Sequence, residues 1–553
     1  MSNPDLTVQA RIPAGLRATV DDKLALAQRE RVQARLWAAD ATLWAPAGTP
    51  EVANRLGWLT IAERMLAQAE QLRAFAEQVR DEGVGDIVLL GMGGSSLAPE
   101  VILRSFGRAD ESWPRLHVLD STDAGAVRAV EHAIDPLRSL FIVSSKSGGT
   151  IEPLSMLAHF WNIVPDGTRF VAITDPGSGL SKLAQERGFR RTFEGDPDIG
   201  GRYSALSPFG VVPAALIGLN VAELLRGADD AKHTPIDAGT GTHEHPAGVW
   251  LGAALSALAH AGRDKLTFLV SEPLDSLGLW LEQLFAESTG KHATGILPVA
   301  DEPLGAVAEY GDDRVFVQLR NLDAPDGSVD ARLRELHDAG HPVIVIPTPG
   351  DPRSLGRLFM LAEIAVAVAG WGLSINPYDQ PNVQQAKDAT NKVLAAYEAN
   401  GELPDVADAD IEALRALISG SAPPSYVAIM AYLEPSAELD AAAAELRVAI
   451  RDAAHATTTF GYGPRFLHST GQFHKGGPPV GRFLQLLHDS TPDVEIPGGV
   501  GGAKSFTTLK NAQAIGDINT LRELGLPAER VRLSGADPAA ALRALTNRIK
   551  EIS

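Results

Sequence analysis

The stretch DIVLLGMGGSSLAPEV, residues 86–101, passes from an unbroken apolar run through a glycine-rich turn into a helical pattern. An apolar run without alternation suits a strand buried on both faces, as in a parallel sheet covered by helices. Gly91 and Gly93 match the opening of a dinucleotide fingerprint, but Ser96 stands where the third glycine should be, which counts against a nicotinamide cofactor. Gly94 and Ser95 instead suit the approach of a backbone and a hydroxyl to a phosphate.

Outward from this stretch the same pattern recurs. LHVLD (116–120), LFIVSS (140–145) and RFVAITD (169–175) are short apolar or β-branched runs, each followed by glycines or hydroxyls and then a helix. That alternation predicts a parallel sheet with helices on both faces. VSSKSGGTIEP (143–153) sets Ser145, Ser147 and Thr150 at a helix start, where unpaired N–H groups and the positive dipole end favour a phosphate. Turns leaving the carboxyl ends of parallel strands gather on one edge, so 91–96 and 145–150 should face each other.

The rest of the chain divides around this unit. Residues 1–80 read as helical, 81–246 as a first α/β unit closed by a polar stretch, and 247–400 as a second with strands KLTFLVSE, RVFVQLR and HPVIVIPT. Residues 401–425 read as a linker containing one helix, and 426–553 as a C-terminal α/β module of split β-α-β type. A chain of 553 residues needs several cores, and 45% apolar composition can supply them. A net charge of −20 argues against nucleic-acid partners but leaves room for a small anion at a local site. The absence of cysteine removes disulfides, thiolate catalysis and Cys-ligated metals. The start lacks a signal-peptide core, and the two most apolar windows are short or interrupted by polar residues. The expectation is a cytoplasmic protein with no membrane partner.

Four further segments carry chemistry-bearing residues: Arg202 in GGRYSALSPFG, Glu287 in LEQLFAESTGK, Gln380 and Lys387 in INPYDQPNVQQAK, and His468 and His474 in RFLHSTGQFHKGG. Singly, each has an ordinary structural explanation. In order, GMGGSSL, SSKSGGT, GGRYSALSPFG, ESTGK and NPYDQPNVQQAK resemble the phosphoglucose isomerase family with its paired sugar-isomerase domains. The resemblance extends through LWAADATLW and GPRFLHSTGQFHKGG to the isomerase half of fused transaldolase–phosphoglucose isomerase proteins. No transaldolase barrel precedes these motifs, so no transaldolase activity is expected.

The resemblance implies two flavodoxin-like, three-layer sugar-isomerase domains. It also implies reversible isomerisation of glucose 6-phosphate and fructose 6-phosphate through a cis-enediolate, without metal or cofactor, by a homodimer. Glu287 matches the base that moves a proton between C2 and C1, Arg202 the group that holds the enediolate charge, and Lys387 the lysine near the ring oxygen. Gly94, Ser95, Ser145, Lys146, Ser147, Thr150, Gly201 and Gln380 match the substrate-binding set. The ring-opening histidine departs from the family order: it follows the lysine here. His468 is preferred over His474 because Gly477 lies nine residues beyond it. Three other readings stand beside this one. They are an isomerase whose specificity includes mannose 6-phosphate, a sugar-phosphate-sensing protein without catalysis, and a metal-dependent isomerase using His243 and His245.

Overall fold

The computed structural model describes residues 6–239 and 245–552. Strand Asp86–Leu90 is buried along its whole length. Ile87 and Leu89 enter one core with the N-terminal helices, while Val88 and Leu90 enter another with C-terminal residues. Successive strand side chains point to opposite faces, so a strand that is apolar throughout needs cover on both. It pairs in parallel with Arg115–Leu119 and Ser139–Ser144, and the sheet continues through Phe170–Thr174 to Arg191–Glu194. In chain order this is 2-1-3-4-5, the doubly wound arrangement whose ligand crevice opens between strands 1 and 3. The turns 91–96 and 145–150 leave from those two strands.

The second sheet has the same plan, with Leu297–Val299, Lys265–Val270, Arg314–Asn321 and Val343–Thr348 as parallel neighbours. Its far edge corrects the all-helical reading of residues 1–80. Val8–Arg11 forms a strand antiparallel to Val343–Thr348, and Ile236–Asp237 pairs beyond it. A four-residue strand is too short for periodicity to separate it from the helix Ala14–Arg29 that follows. Helix Pro352–Gly372 is long and apolar enough to cross a membrane by length and composition, but 94% of its apolar window is buried inside the fold.

The C-terminal sheet, Thr457–Tyr462, Tyr426–Tyr432, Gly481–Leu487 and Ala528–Arg532, is parallel throughout and ordered 2-1-3-4. It is therefore a third doubly wound unit and not a split β-α-β module. The segments between its strands are long enough for the crossovers that parallel pairing requires. Helix Ile411–Ser419 buries Leu414, Leu417 and Ile418 against Val427 and Ile429, so it is part of this core and not a spacer.

The crevice of the C-terminal sheet, between Tyr426–Tyr432 and Gly481–Leu487, is filled by the first unit. The Glu434 carboxylate takes the space a side chain at Gly125 would need, at the N-terminus of helix Ala124–Ala133, where a negative charge is favoured. Beside it Lys510 Nζ meets Asp123 Oδ2 at 2.8 Å with both side chains fully buried. Removing either partner strands a buried charge, at a cost of about 3–5 kcal/mol. Lys510 lies on helix Phe506–Glu523, which Ser505 caps through the Thr508 N–H and which is buried almost all round. Polar groups on such a helix need partners inside the protein. Lys475 pairs with Asp517 at 2.6 Å, Asn511 donates to Asp489 at 3.0 Å, and Gln513 bonds Thr122 and Glu152.

Candidate active site

The chemistry-bearing segments meet at the carboxyl edge of the first sheet. The short turn Gly93–Ser95 abuts the turn Gly201–Tyr203. The backbone of Gly201 fills the volume of a Cβ at Gly94, so a contact between two turns requires glycine at 94. Ser95 is buried beside it.

Arg202, 1% exposed at its side chain, is held by a complete set of acceptors. Its Nε donates to Ser288 Oγ at 2.7 Å, one terminal nitrogen to Gln380 Oε1 at 2.8 Å, and the other to the carbonyls of Pro377 and Asp379 at 2.7 and 3.0 Å. That geometry sets the first terminal nitrogen 3.4 Å from Glu287 Oε1. Glu287 lies in the last turn of helix Leu277–Thr289, within a stretch buried from Trp280 to Thr289. Lys291, fully buried, donates to the Asn376 carbonyl at 2.8 Å and to Asp379 Oδ1 at 2.7 Å. Burial, then the charge of Arg202, pull its pKa down to about 8 against the pull of Asp379. Arg202 and Lys291 thus hold the loop that delivers Gln380.

A pocket of about 110 Å³ is lined by Gly149, Thr150, Glu152, Lys387, His468 and Gln513 among others. Lys387 stands exposed on helix Pro381–Asn400, which Gln380 begins. Thr150 opens helix Ile151–Ile163 without capping it through its side chain, and its hydroxyl receives that of Ser145 at 3.2 Å. Ser147 is exposed one turn away. The side chain of Lys146 is not brought to this pocket. Its ammonium is bound to Asp175 Oδ2 at 2.5 Å and to the Asp196 carbonyl at 2.9 Å, because a half-buried lysine is stabilised by the nearest carboxylate.

His468, in the turn Arg465–His468, places Nε2 2.8 Å from Glu152 Oε1. Burial pushes the Glu152 carboxyl up, but the charge and hydrogen bond of His468 outweigh it and hold the group below its ordinary value. Arg465, three residues earlier, makes a two-pronged pair with Asp120 at 2.7 and 2.8 Å, fixing the turn to the first sheet. His474 is elsewhere. It is buried among Tyr426, Phe466 and Phe483, 3.0 Å from the Tyr426 hydroxyl. Burial, then the charge of Lys475, lower its pKa to about 3. Of the two histidines, His468 is the one at the pocket.

One residue ties the parts together. Gln283 Nε2 donates to Glu287 Oε2 at 3.1 Å and to the His468 carbonyl at 2.8 Å. Sequence reasoning missed Gln283, Lys291, Glu152 and Gln513. Glu152 was legible in principle as an acid in the first turn after the hydroxyl cluster. The two glutamines carry no local signal. His243 lies outside the described residues, so the metal-binding pair with His245 is not placed.

The fold and this edge define an α/β protein that sets a hydroxyl-bearing helix start beside a carboxylate–arginine pair and a histidine–carboxylate pair. A model of the phosphoglucose isomerase family matches residues 59–312. The chain is 31% identical to the glucose-6-phosphate isomerase of Rubrobacter xylanophilus over 366 residues, 57% of this chain and 84% of that protein. It is 28% identical to that of Thermus thermophilus over 394 residues, 62% of this chain and 91% of that protein. A hypothetical protein from Thermus thermophilus superposes with a TM-score of 0.56 at 25% identity, covering 70% of this chain and all (100%) of that one. A glucose-6-phosphate isomerase from Chlamydia trachomatis shares the fold at a TM-score of 0.53 and 19% identity, covering 70% of this chain and 87% of that one. The chain belongs to the phosphoglucose isomerase family.

Proposed function

We propose that the protein interconverts glucose 6-phosphate and fructose 6-phosphate by acid–base catalysis through a cis-enediolate. The observation that carries this reading is Gln283, which bonds Glu287 and the backbone of His468 at once and links groups far apart in the chain. In this reading the phosphate rests on Thr150, Ser145 and Ser147 at the N-terminus of Ile151–Ile163, with Lys387 across the pocket. The His468–Glu152 pair moves the proton of the C1 hydroxyl to the ring oxygen as the C1–O bond to that oxygen breaks. Glu287 then takes the proton from C2, whose electron pair forms the C1–C2 double bond as the C1 carbonyl oxygen becomes an oxyanion. The proton of the C2 hydroxyl passes to that oxygen, and as the C2 carbonyl forms the same carboxyl returns its proton to C1. Arg202 stabilises the charge on the enediolate oxygens. The experiment is an aldose–ketose assay with glucose, fructose and mannose 6-phosphates. Interconversion of the first two supports the proposal, and turnover of none of them removes it.

Thr150→Ala and Ser147→Ala are expected to raise KM about tenfold or more with a smaller change in kcat, since a hydrogen bond to a charged group is worth about 1.5–3 kcal/mol and the phosphate is remote from the reacting carbons. An unchanged KM in both variants would place the phosphate elsewhere.

The likeness to fused transaldolase proteins and the unit boundaries at 81–246, 247–400 and 426–553 belong to this reading, as does a homodimer. Light scattering at assay concentration should give twice the chain mass. Every group named above comes from a single chain, so specific activity should not fall on dilution below the dimer's dissociation.

A further inference from the structure

We infer that Gln513 is a positioning residue for ring opening: it fixes the ionised form of Glu152 and, through it, the nitrogen that His468 presents to the substrate. The inference rests on the reading of His468 as the ring-opening group. Gln513 Nε2 lies 2.7 Å from Glu152 Oε1, and the Thr122 hydroxyl lies 2.8 Å from Gln513 Oε1. An ionised carboxylate only accepts hydrogen bonds, so the amide must turn its NH₂ toward Glu152. Its oxygen then receives the hydroxyl of Thr122, a fully buried residue beyond the end of strand Arg115–Leu119. Both Gln513 Nε2 and His468 Nε2 converge on the same oxygen of Glu152. With Glu152 ionised, His468 Nε2 must carry a proton, which leaves Nδ1 to exchange protons with the sugar. The C-terminal module therefore supplies both the histidine and the donor that keeps its carboxylate partner charged, although Glu152, on helix Ile151–Ile163, and Thr122, past strand Arg115–Leu119, belong to the first unit.

The titratable groups that face Glu152 are His468, Lys387 on helix Pro381–Asn400, and Tyr432 on the C-terminal sheet. Gln513 is the neutral donor among them. Removing it leaves the buried carboxylate with one fewer hydrogen bond, so its protonation moves to higher pH.

The test uses the full-length protein. Gln513→Met should lower kcat on cyclic glucose 6-phosphate about tenfold to a hundredfold and spare C2 proton exchange in an acyclic analogue. It should also move the acid limb of the kcat/KM profile upward. Gln513→Glu sets a second carboxyl against Glu152, so its activity should be lowest at neutral pH and recover on acidification, when the pair can share a proton. In a His468→Ala background, Gln513→Met should add no further loss on the cyclic substrate. Equal losses on cyclic and acyclic substrates, with an unmoved acid limb, would make Gln513 a packing residue and overturn the inference. If His468→Ala itself shows no loss specific to the cyclic substrate, the underlying reading fails and Gln513 falls with it. If His468→Ala shows that loss and Gln513→Met does not, the positioning role alone is wrong.

Discussion

Glu287→Gln should lower kcat by about 10²–10⁴-fold, the range that a general acid–base group supplies, and leave KM nearly unchanged. The amide is isosteric, and its one oxygen can accept from Gln283 or face Arg202 at the 3.4 Å position, though not both at once. What it loses is the ability to take a proton from C2 and return it to C1. The measurement is paired: steady-state kinetics for turnover, and incorporation of solvent deuterium at C2 for the proton-transfer step. Both should fall together. Near-normal exchange would assign the base to another group at this edge. A large rise in KM with kcat intact would mean that Glu287 holds the sugar and moves no proton.

His468→Ala should slow turnover of the cyclic substrate about a hundredfold or more, in the range of acid–base catalysis, while exchange at C2 of an acyclic analogue persists. The substitution also strips Glu152, which is 3% exposed, of the donor at 2.8 Å. Leaving a buried carboxylate short of a donor is destabilising, so thermal unfolding must be measured beside activity. His468→Gln separates the two effects: its amide can donate to Glu152 and restore stability, but it cannot titrate and should leave ring opening slow. Equal losses on cyclic and acyclic substrates in the stable variant would make the histidine structural. His474→Ala should behave in the opposite way. Its ring sits among Tyr426, Phe466 and Phe483, so the substitution should lower stability with no preference for the cyclic substrate.

The pattern of these residues in the chain explains what could be foreseen. DIVLL and its neighbours announce a parallel sheet because a strand buried on both faces must be apolar at every position. The turns 91–96 and 145–150 can be placed together from that alone, since a doubly wound order brings the ends of strands 1 and 3 side by side. A two-fold pattern needs more than four residues to be visible, which is why Val8–Arg11 was hidden. Helix Phe506–Glu523 could be read as a helix, and Lys510, Gln513 and Asp517, at i, i+3 and i+7, fall on one of its faces. A polar residue on a helix normally signals solvent. Here each answers a partner brought from far along the chain, as Lys510 does with Asp123 and Gln513 with Thr122 and Glu152.

The sequence by itself determined the local units. These are the apolar strands, the glycine and hydroxyl turns at their ends, the helix starts, and the kinds of group available for acid–base work, because each depends on residues within a turn or two of one another. Tertiary structure alone decided which of two histidines six residues apart enters the pocket and that Glu152 receives it. It also decided that Lys146 is committed to Asp175, and that the C-terminal sheet docks its own crevice onto the first. Those outcomes depend on where three sheets come to rest against one another. A buried charge or amide takes whichever partner that packing brings within about 3 Å, and residues hundreds of positions apart leave no shared pattern in the chain to announce it.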